Sequence, residues 1–262
     1  MRNVIDSLRS IAVRAGWDEL GRLIYPPECA MCETLIGPQA RFCEPCWSKL
    51  TKSNYACHRC GLPLPSVVPN DSCARCRKAK WRFDQVVALG PYRGRLREAV
   101  ILSKKLRFEN LRHGLAELLA ERITSRMLAN QIGMRESLEE GQTPIVVPVP
   151  NHWSRVFART APTASSLAWR IGAELGWEVR GNLVRRIRKT AKQGMLSSQE
   201  RRQNVRGAFK IVRAPNLNGR QVWVVDDVMT SGATVNELAR VLRKSGAGPI
   251  CVAVVARGSG RG

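Results

Sequence analysis

Val222-Trp223-Val224-Val225-Asp226-Asp227-Val228-Met229-Thr230-Ser231-Gly232-Ala233-Thr234 sets an apolar run against two adjacent acids and then a short hydroxyl and glycine loop. The run Val222–Val225 has the composition of a buried strand, and the periodicity after the loop predicts a helix from about Ala233 to Lys244. At such a junction the backbone N–H groups of Ser231, Gly232, Ala233 and Thr234 can converge on one phosphate. The Thr230, Ser231 and Thr234 hydroxyls and the positive end of the helix dipole add to the attraction. Gly232 permits close approach of the backbone. Asp226 and Asp227 then stand where they can accept hydrogen bonds from ribose hydroxyls attached to that phosphate, which makes the segment a cradle for a pentose 5-phosphate. A magnesium-binding acidic strand end or a plain helix cap accounts less well for two acids followed at once by an anion nest.

On either side of this segment, strands are expected at Val86–Leu89, Ile145–Val149, Ala208–Val212 and Ile250–Val255. Helices are expected at about Leu96–Lys104, Leu111–Leu128 and Ala161–Leu175. Trp177–Ile187 reads as extended and Lys189–Arg206 as a mobile basic segment, while Asn216–Gly219 reads as a turn. Strands alternating with amphipathic helices predict an α/β domain with a mostly parallel sheet flanked by helices. Ligands of such sheets bind beyond the carboxyl ends of the strands, where the acids lie.

The chain has 262 residues, with 44% hydrophobic and 24% charged residues, which excludes a disordered basic tail as a description of the whole. Its net charge of +22 is uneven: residues 1–80 carry +5 and residues 81–262 carry +17. Arg180–Arg213 alone holds 11 basic residues against the single acid Glu200. Such a field attracts polyanions, whether nucleic acid, phosphorylated small molecules or anionic lipid. Residues 1–24 read as an amphipathic helix too often interrupted by charge to be a signal peptide. The longest uncharged run, Gly141–Ser154, contains three prolines and is too short to span a bilayer. A cytoplasmic protein without an integral membrane segment is expected.

Eight of the nine cysteines form four Cys-x-x-Cys pairs: Cys29 and Cys32, Cys43 and Cys46, Cys57 and Cys60, Cys73 and Cys76. Two such turns supply the four thiolates of a tetrahedral zinc site, so the four predict two structural zinc ions. A disulfide framework would be expected to accompany a secretory signal. Sequential pairing of the turns is the simplest, and spacing alone also admits an interleaved arrangement. A ribbon this short needs its metals to fold. Arg59, Arg75, Arg77, Lys78 and Lys80, with Tyr55 and Trp81, also offer side chains of the kind that contact nucleic acid. Cys251, alone in an apolar run, is expected to be buried. Four segments follow: the helix 1–24, a double zinc ribbon 25–80, the α/β domain 81–257 and a tail 258–262.

The strand–acid–loop–helix segment resembles the phosphoribosyl diphosphate (PRPP) motif of type I phosphoribosyltransferases. With the zinc module in front, the chain resembles the ComF/GntX family over roughly residues 24–257. The resemblance extends to Tyr92, Gly94 and Lys104 or Lys105, to Pro148-Val149-Pro150, and to Gln193, Leu196, Arg201, Asn204, Val205, Ala208 and Phe209. The chain departs from the family at Arg159-Thr160-Ala161-Pro162-Thr163, where Arg-Gly-Phe-Asn-Gln is usual, losing an amide pair near the diphosphate loop.

The resemblance implies the type I phosphoribosyltransferase fold with catalytic Asp226 and Asp227. It also implies a phosphate site at Thr230, Ser231, Gly232, Ala233 and Thr234, and a diphosphate loop with Pro150, Asn151, His152 and Arg155. A hood over Lys189–Arg206 would present Arg188, Lys189, Lys192, Arg201 and Arg202 to phosphate or nucleic acid. The implied cofactor is Mg2+ bound with PRPP, beside structural Zn2+ held by the cysteine pairs. Two functions stand side by side: transfer of ribose 5-phosphate from PRPP to an acceptor, or handling of single-stranded DNA in natural competence. In the second, the PRPP site is regulatory or vestigial, and other competence proteins are partners.

Overall fold

A computed structural model describes residues 26–51, 55–65, 73–129, 143–150, 161–188, 198–212 and 217–258. The expected helix 1–24 and the expected tail beyond Gly258 lie outside them. The chain divides into two compact units, Met1–Ser48 and Lys49–Gly262.

The larger unit is built on a five-stranded sheet whose paired strands all run parallel. The strands are β1 (Gln85–Pro91), β2 (Ile145–Pro148), β3 (Glu178–Val179), β6 (Val222–Met229) and β7 (Ile250–Arg257), in the order β1-β7-β6-β2-β3. All eight residues of β7 are buried, and so are Val222–Val225 of β6, as expected where both sheet faces are covered. Helices α4 (Glu109–Ala129) and α5 (Thr163–Leu175) pack on each other, α4 reaching β1 and β7 and α5 reaching β2, β3 and β6. Helix α7 (Ala233–Lys244) lays Val235, Leu238 and Leu242 into one cluster with Val222, Val224, Ile250 and Val252. Each fully buried side chain of this size contributes about 1.5–3 kcal/mol, so this stripe fixes how the helix leaves the acid-bearing strand.

Two strands, β4 (Val184–Arg186) and β5 (Phe209–Ile211), pair antiparallel as a separate ribbon. The expected extended stretch Trp177–Ile187 divides into β3 and β4. The expected mobile segment Lys189–Arg206 is corrected in part, because Ser198–Val205 forms helix α6, which packs on α7. Val205 anchors it in the interior, and the Glu237 carboxylate of α7 accepts the N–H of Gly207 at 2.8 Å. Strand β6 also runs further than expected, carrying Asp226 and Asp227 inside the ladder to Met229.

In both units a cysteine knuckle repeats the same geometry. The residue four after the first cysteine, Glu33 or Gly61, is left-handed, and its N–H donates to the carbonyl of Cys29 or Cys57. Isolated bridges Glu28–Leu35 and Ala56–Pro63 close the two turns. The later pair in each case opens a helix, α1 (Glu44–Thr51) or α2 (Ala74–Lys78). In the larger unit this knuckle docks on the sheet, where the Val86 N–H of β1 donates to the His58 carbonyl. Helix α3 (Gly94–Ser103) follows β1 and leads into the turn that carries Lys104.

Candidate functional site

Asp226 and Asp227 end the buried part of β6, beside Val254 of β7 and one residue beyond the Pro148–Val225 pairing with β2. The Val149 N–H donates to the Val225 carbonyl at 2.8 Å, so β2 leaves the sheet at Pro150 beside the acids. Asp226 Oδ1 accepts the Asp227 N–H at 2.9 Å, and Asp227 Oδ1 accepts the Val228 N–H at 2.7 Å. Lys104 Nζ lies 2.8 Å from Asp227 Oδ2, with side-chain exposures of 49% and 19%. Burial, followed by the charge of Asp227, pushes the Asp226 carboxyl well above the usual carboxylate range, and Lys104 only partly offsets this. The Lys104 ammonium loses some basicity to burial but regains more from the Asp227 carboxylate, and is held above its ordinary value.

Lys104 owes its place to Arg112, whose guanidinium is almost fully buried. Arg112 Nη1 donates to the carbonyls of Ser103 at 3.1 Å and Lys105 at 2.9 Å, and Nη2 donates to that of Leu106 at 3.2 Å. Arg112 thereby ties together three carbonyls of the turn after α3, of which that of Ser103 also accepts from Thr163 Oγ1 at 3.4 Å and that of Lys105 from the Phe108 N–H at 3.2 Å. The sequence pattern contained Lys104 without giving it a partner, and Arg112 carried no signal at all.

The loop Thr230–Gly232 joins β6 to α7. Gly232 sits at φ 78° as the residue before the helix, and a Cβ there would lie 2.7 Å from Met229 Cε and 3.2 Å from the Trp81 ring. Ser231 is buried, and its Oγ accepts the Ala233 N–H at 3.3 Å. No acid stands in the first turn of α7, which keeps the positive helix end available to an anion. The five expected phosphate residues are thus contiguous at one helix start, with both expected acids before them on β6, separated by Val228 and Met229.

The expected diphosphate loop is represented by Pro150 alone, because Asn151, His152 and Arg155 lie outside the described residues, as do Lys189 and Lys192. Arg188 donates through Nη2 to the carbonyls of Asn204 and Arg206, both at 2.9 Å, closing the end of α6. Arg201 is half-buried on α6 and Arg202 belongs to the same helix. Cys251 is buried as expected and accepts from the amides of Gln85 at 3.1 Å and Gln221 at 3.3 Å. A groove lined by Tyr55, His58, Leu64, Leu89 and Arg122 runs along β1 and contains neither acid.

The cysteines gather sequentially: Cys29, Cys32, Cys43 and Cys46 form one tetrad and Cys57, Cys60, Cys73 and Cys76 the other, each with its sulfurs within 4.8 Å of one another. Sulfurs approach to 3.5 Å between Cys32 and Cys43 and to 3.7 Å for both Cys57–Cys76 and Cys60–Cys73. Zinc with four sulfurs at about 2.3 Å has tetrahedral edges of about 3.8 Å, so both tetrads fit a structural zinc ion. This grouping is the sequential arrangement rather than the interleaved one. Burial drives the Cys76 thiol up to about 11, and Cys60 higher still, which a bound dication would reverse by stabilising the thiolates.

Three side chains connect the second tetrad to the loop: Arg257, which the sequence did not single out, and Arg75 and Trp81, which it offered only as contacts to nucleic acid. Arg257, wholly buried at the end of β7, donates from Nε to the Cys60 carbonyl at 2.8 Å. Its Nη1 donates to the Met229 carbonyl at 2.9 Å and also to the carbonyls of Thr230 and Gly258. Arg75, in α2, donates from Nη2 to the Ser231 carbonyl at 3.0 Å and lies 5.8 Å from the Trp81 ring centroid. Trp81 packs against the tetrad's cysteines and stacks on Phe83 at 5.0 Å.

Known proteins match both parts of this architecture. The double zinc ribbon domain family matches residues 20–77, and the phosphoribosyl transferase domain family matches residues 134–262. Competence protein F of Haemophilus influenzae is 30% identical over 219 residues, covering 82% of this chain and 90% of that protein. DNA utilization protein YhgH of Salmonella typhimurium is 27% identical over 235 residues, covering 88% and 96%. Among solved structures, the hypoxanthine-guanine phosphoribosyl transferase of L. donovani aligns with 14% identity and a TM-score of 0.34, over 56% of this chain and 67% of that one. No described helix is long and apolar enough to cross a membrane. With a double zinc ribbon, a type I phosphoribosyltransferase domain and this extent of identity, the chain belongs to the family of competence protein F and YhgH.

Proposed function

We propose that the chain binds PRPP with Mg2+ at the β6–α7 junction and transfers ribose 5-phosphate to an acceptor. The observation that carries this reading is the juxtaposition of Asp226 and Asp227 with a helix start that has no acid in its first turn and a left-handed Gly232. In it, the N–H groups of Ser231–Thr234 hold the 5-phosphate and the two acids hold the ribose hydroxyls. When the bond between the anomeric carbon and the diphosphate oxygen breaks, positive character grows on the sugar and negative charge on the departing diphosphate. The acids lie on the side of the first charge, and the segment after Pro150, with Asn151, His152 and Arg155, serves the second. Mg2+, when bound, neutralises diphosphate charge. Lys104 holds Asp227 in its present rotamer until a ligand competes for that carboxylate. The acceptor's nucleophilic atom forms the new bond to the anomeric carbon. The test is diphosphate release from PRPP and Mg2+ with a panel of nucleobases. Release with at least one acceptor is expected, and none with any of them counts against turnover.

A second reading, the handling of single-stranded DNA, is favoured by the β4–β5 ribbon. Arg185 and Lys210 pair directly across its two strands and both are exposed, with Ile187 exposed close by. Like charges directly opposite each other destabilise a strand pair, and a polyanion relieves that repulsion. The names of competence protein F and DNA utilization protein YhgH point the same way. If about five phosphates are contacted, log affinity falls against log salt with a slope near −3.5. A flat salt response would rule this reading out.

A further inference from the structure

We infer that the second zinc site shapes the phosphate-binding loop, with Arg257, Arg75 and Trp81 as positioning residues between the two; this rests on reading Thr230–Thr234 as the phosphate site. In a planar trans peptide the C=O and the next residue's N–H point in opposite directions, and no cis peptide occurs among the described residues. Arg257 draws the Thr230 carbonyl toward the zinc side, so the Ser231 N–H faces away from it. Arg75 does the same to the Ser231 carbonyl, which turns the Gly232 N–H outward. Two arginines thus orient two of the amides that an anion would use. Trp81 supplies the floor: its ring lies against Gly232 so closely that even a methyl group would be 3.2 Å away.

All three side chains are fixed by the tetrad. Arg75 lies between Cys73 and Cys76 on α2, Trp81 packs on the cysteines, and Arg257 reaches the carbonyl of Cys60. Arg257 is a buried cation with no carboxylate ion pair among the described residues, and its Nη2 has no hydrogen-bond partner among them. Burying an uncompensated charge is costly. Four thiolates around one Zn2+ carry a net charge of about −2, which provides the compensation. Loss of the metal removes both the rigid carbonyl and the countercharge that hold Arg257 in place, and the loop amides lose their common direction.

The experiment uses the full chain, loaded with zinc and free of other ligands, and follows hydrogen exchange of the amides of Ala233, Asn236 and Gly258, whose N–H groups donate to Ser231 Oγ and to the carbonyls of Gly232 and Met229 and so report the order of the loop. Cys73→Ser removes the second metal, and Arg75→Met leaves both metals in place, as checked by zinc content. Exchange is expected to rise at least tenfold in both variants, and Arg257→Lys is expected to give a smaller rise. Unchanged exchange in Arg75→Met with both zinc ions retained would overturn the inference, even if Cys73→Ser fails to fold. PRPP affinity is measured by calorimetry on the same proteins. A wild-type chain that binds no PRPP defeats the phosphate reading while leaving the exchange result to judge the coupling.

Discussion

Replacing Gly232 with alanine gives two separable penalties, and a second glycine serves as the control. Gly176, after α5, has φ 66° with nothing within 4 Å of an added Cβ, whereas Gly232 has φ 78° with Met229 Cε at 2.7 Å and the Trp81 ring at 3.2 and 3.3 Å. A non-glycine residue in the left-handed region costs about 1–2 kcal/mol at either position. At Gly232 the methyl group must also displace the Trp81 ring, which is braced by Phe83, and overpacking of this kind costs about 1–3 kcal/mol. Gly176→Ala should therefore lose about 1–2 kcal/mol and Gly232→Ala about 3 kcal/mol. For a unit of this size, that corresponds to roughly 2–8 °C and 6–12 °C in Tm. Thermal melts of the two zinc-loaded variants, with PRPP titrations alongside, make the comparison. Gly232→Ala should also weaken PRPP binding at least tenfold while Gly176→Ala leaves it unchanged. Equal stability losses and equal PRPP affinities would refute the close contact between Trp81 and the loop.

Asp226→Asn should raise Tm near pH 7. The native carboxyl holds its proton above the unfolded value near 3.8, so the native state binds more protons in that window and wild-type stability falls as pH rises. The advantage of the amide should shrink as the pH is lowered toward 4, and an advantage constant with pH would contradict the burial of this acid. The double variant Cys29→Ser with Cys43→Ser should lose one zinc ion and keep the other, as measured by metal analysis; loss of both would signal interleaved pairing. Arg112→Met should cost about 2–4 kcal/mol in a denaturant melt because three carbonyls lose a charged donor, and a loss below about 0.5 kcal/mol would show that water replaces it.

What the sequence made legible was local in chain distance. The cysteine spacing and the strand–acid–loop–helix segment each fall within a few residues, and α7 begins and ends where periodicity placed it. Strand β6 was read too short because Asp226 and Asp227 look like a strand end, yet the ladder with β7 continues through them to Met229. Helix α6 carries no sign in the sequence because Ser198–Val205 is almost wholly polar, with Val205 the buried apolar residue among its described side chains. Arg257 could not have been singled out: its partners, Cys60 and Thr230, are 197 and 27 residues away in the chain, and alone it is one basic residue before a tail. Lys104 was visible as part of a family pattern, but its ion pair with Asp227 depends on the turn that Arg112 folds.

The central proposal, a PRPP site at the end of β6, is tested most directly by calorimetric titration of PRPP and Mg2+ into the wild-type chain and the Asp226→Ala, Asp227→Ala double variant. Saturable binding by the wild type and none by the double variant, with the zinc content of both unchanged, is the predicted result. The same affinity in both proteins would contradict the assignment.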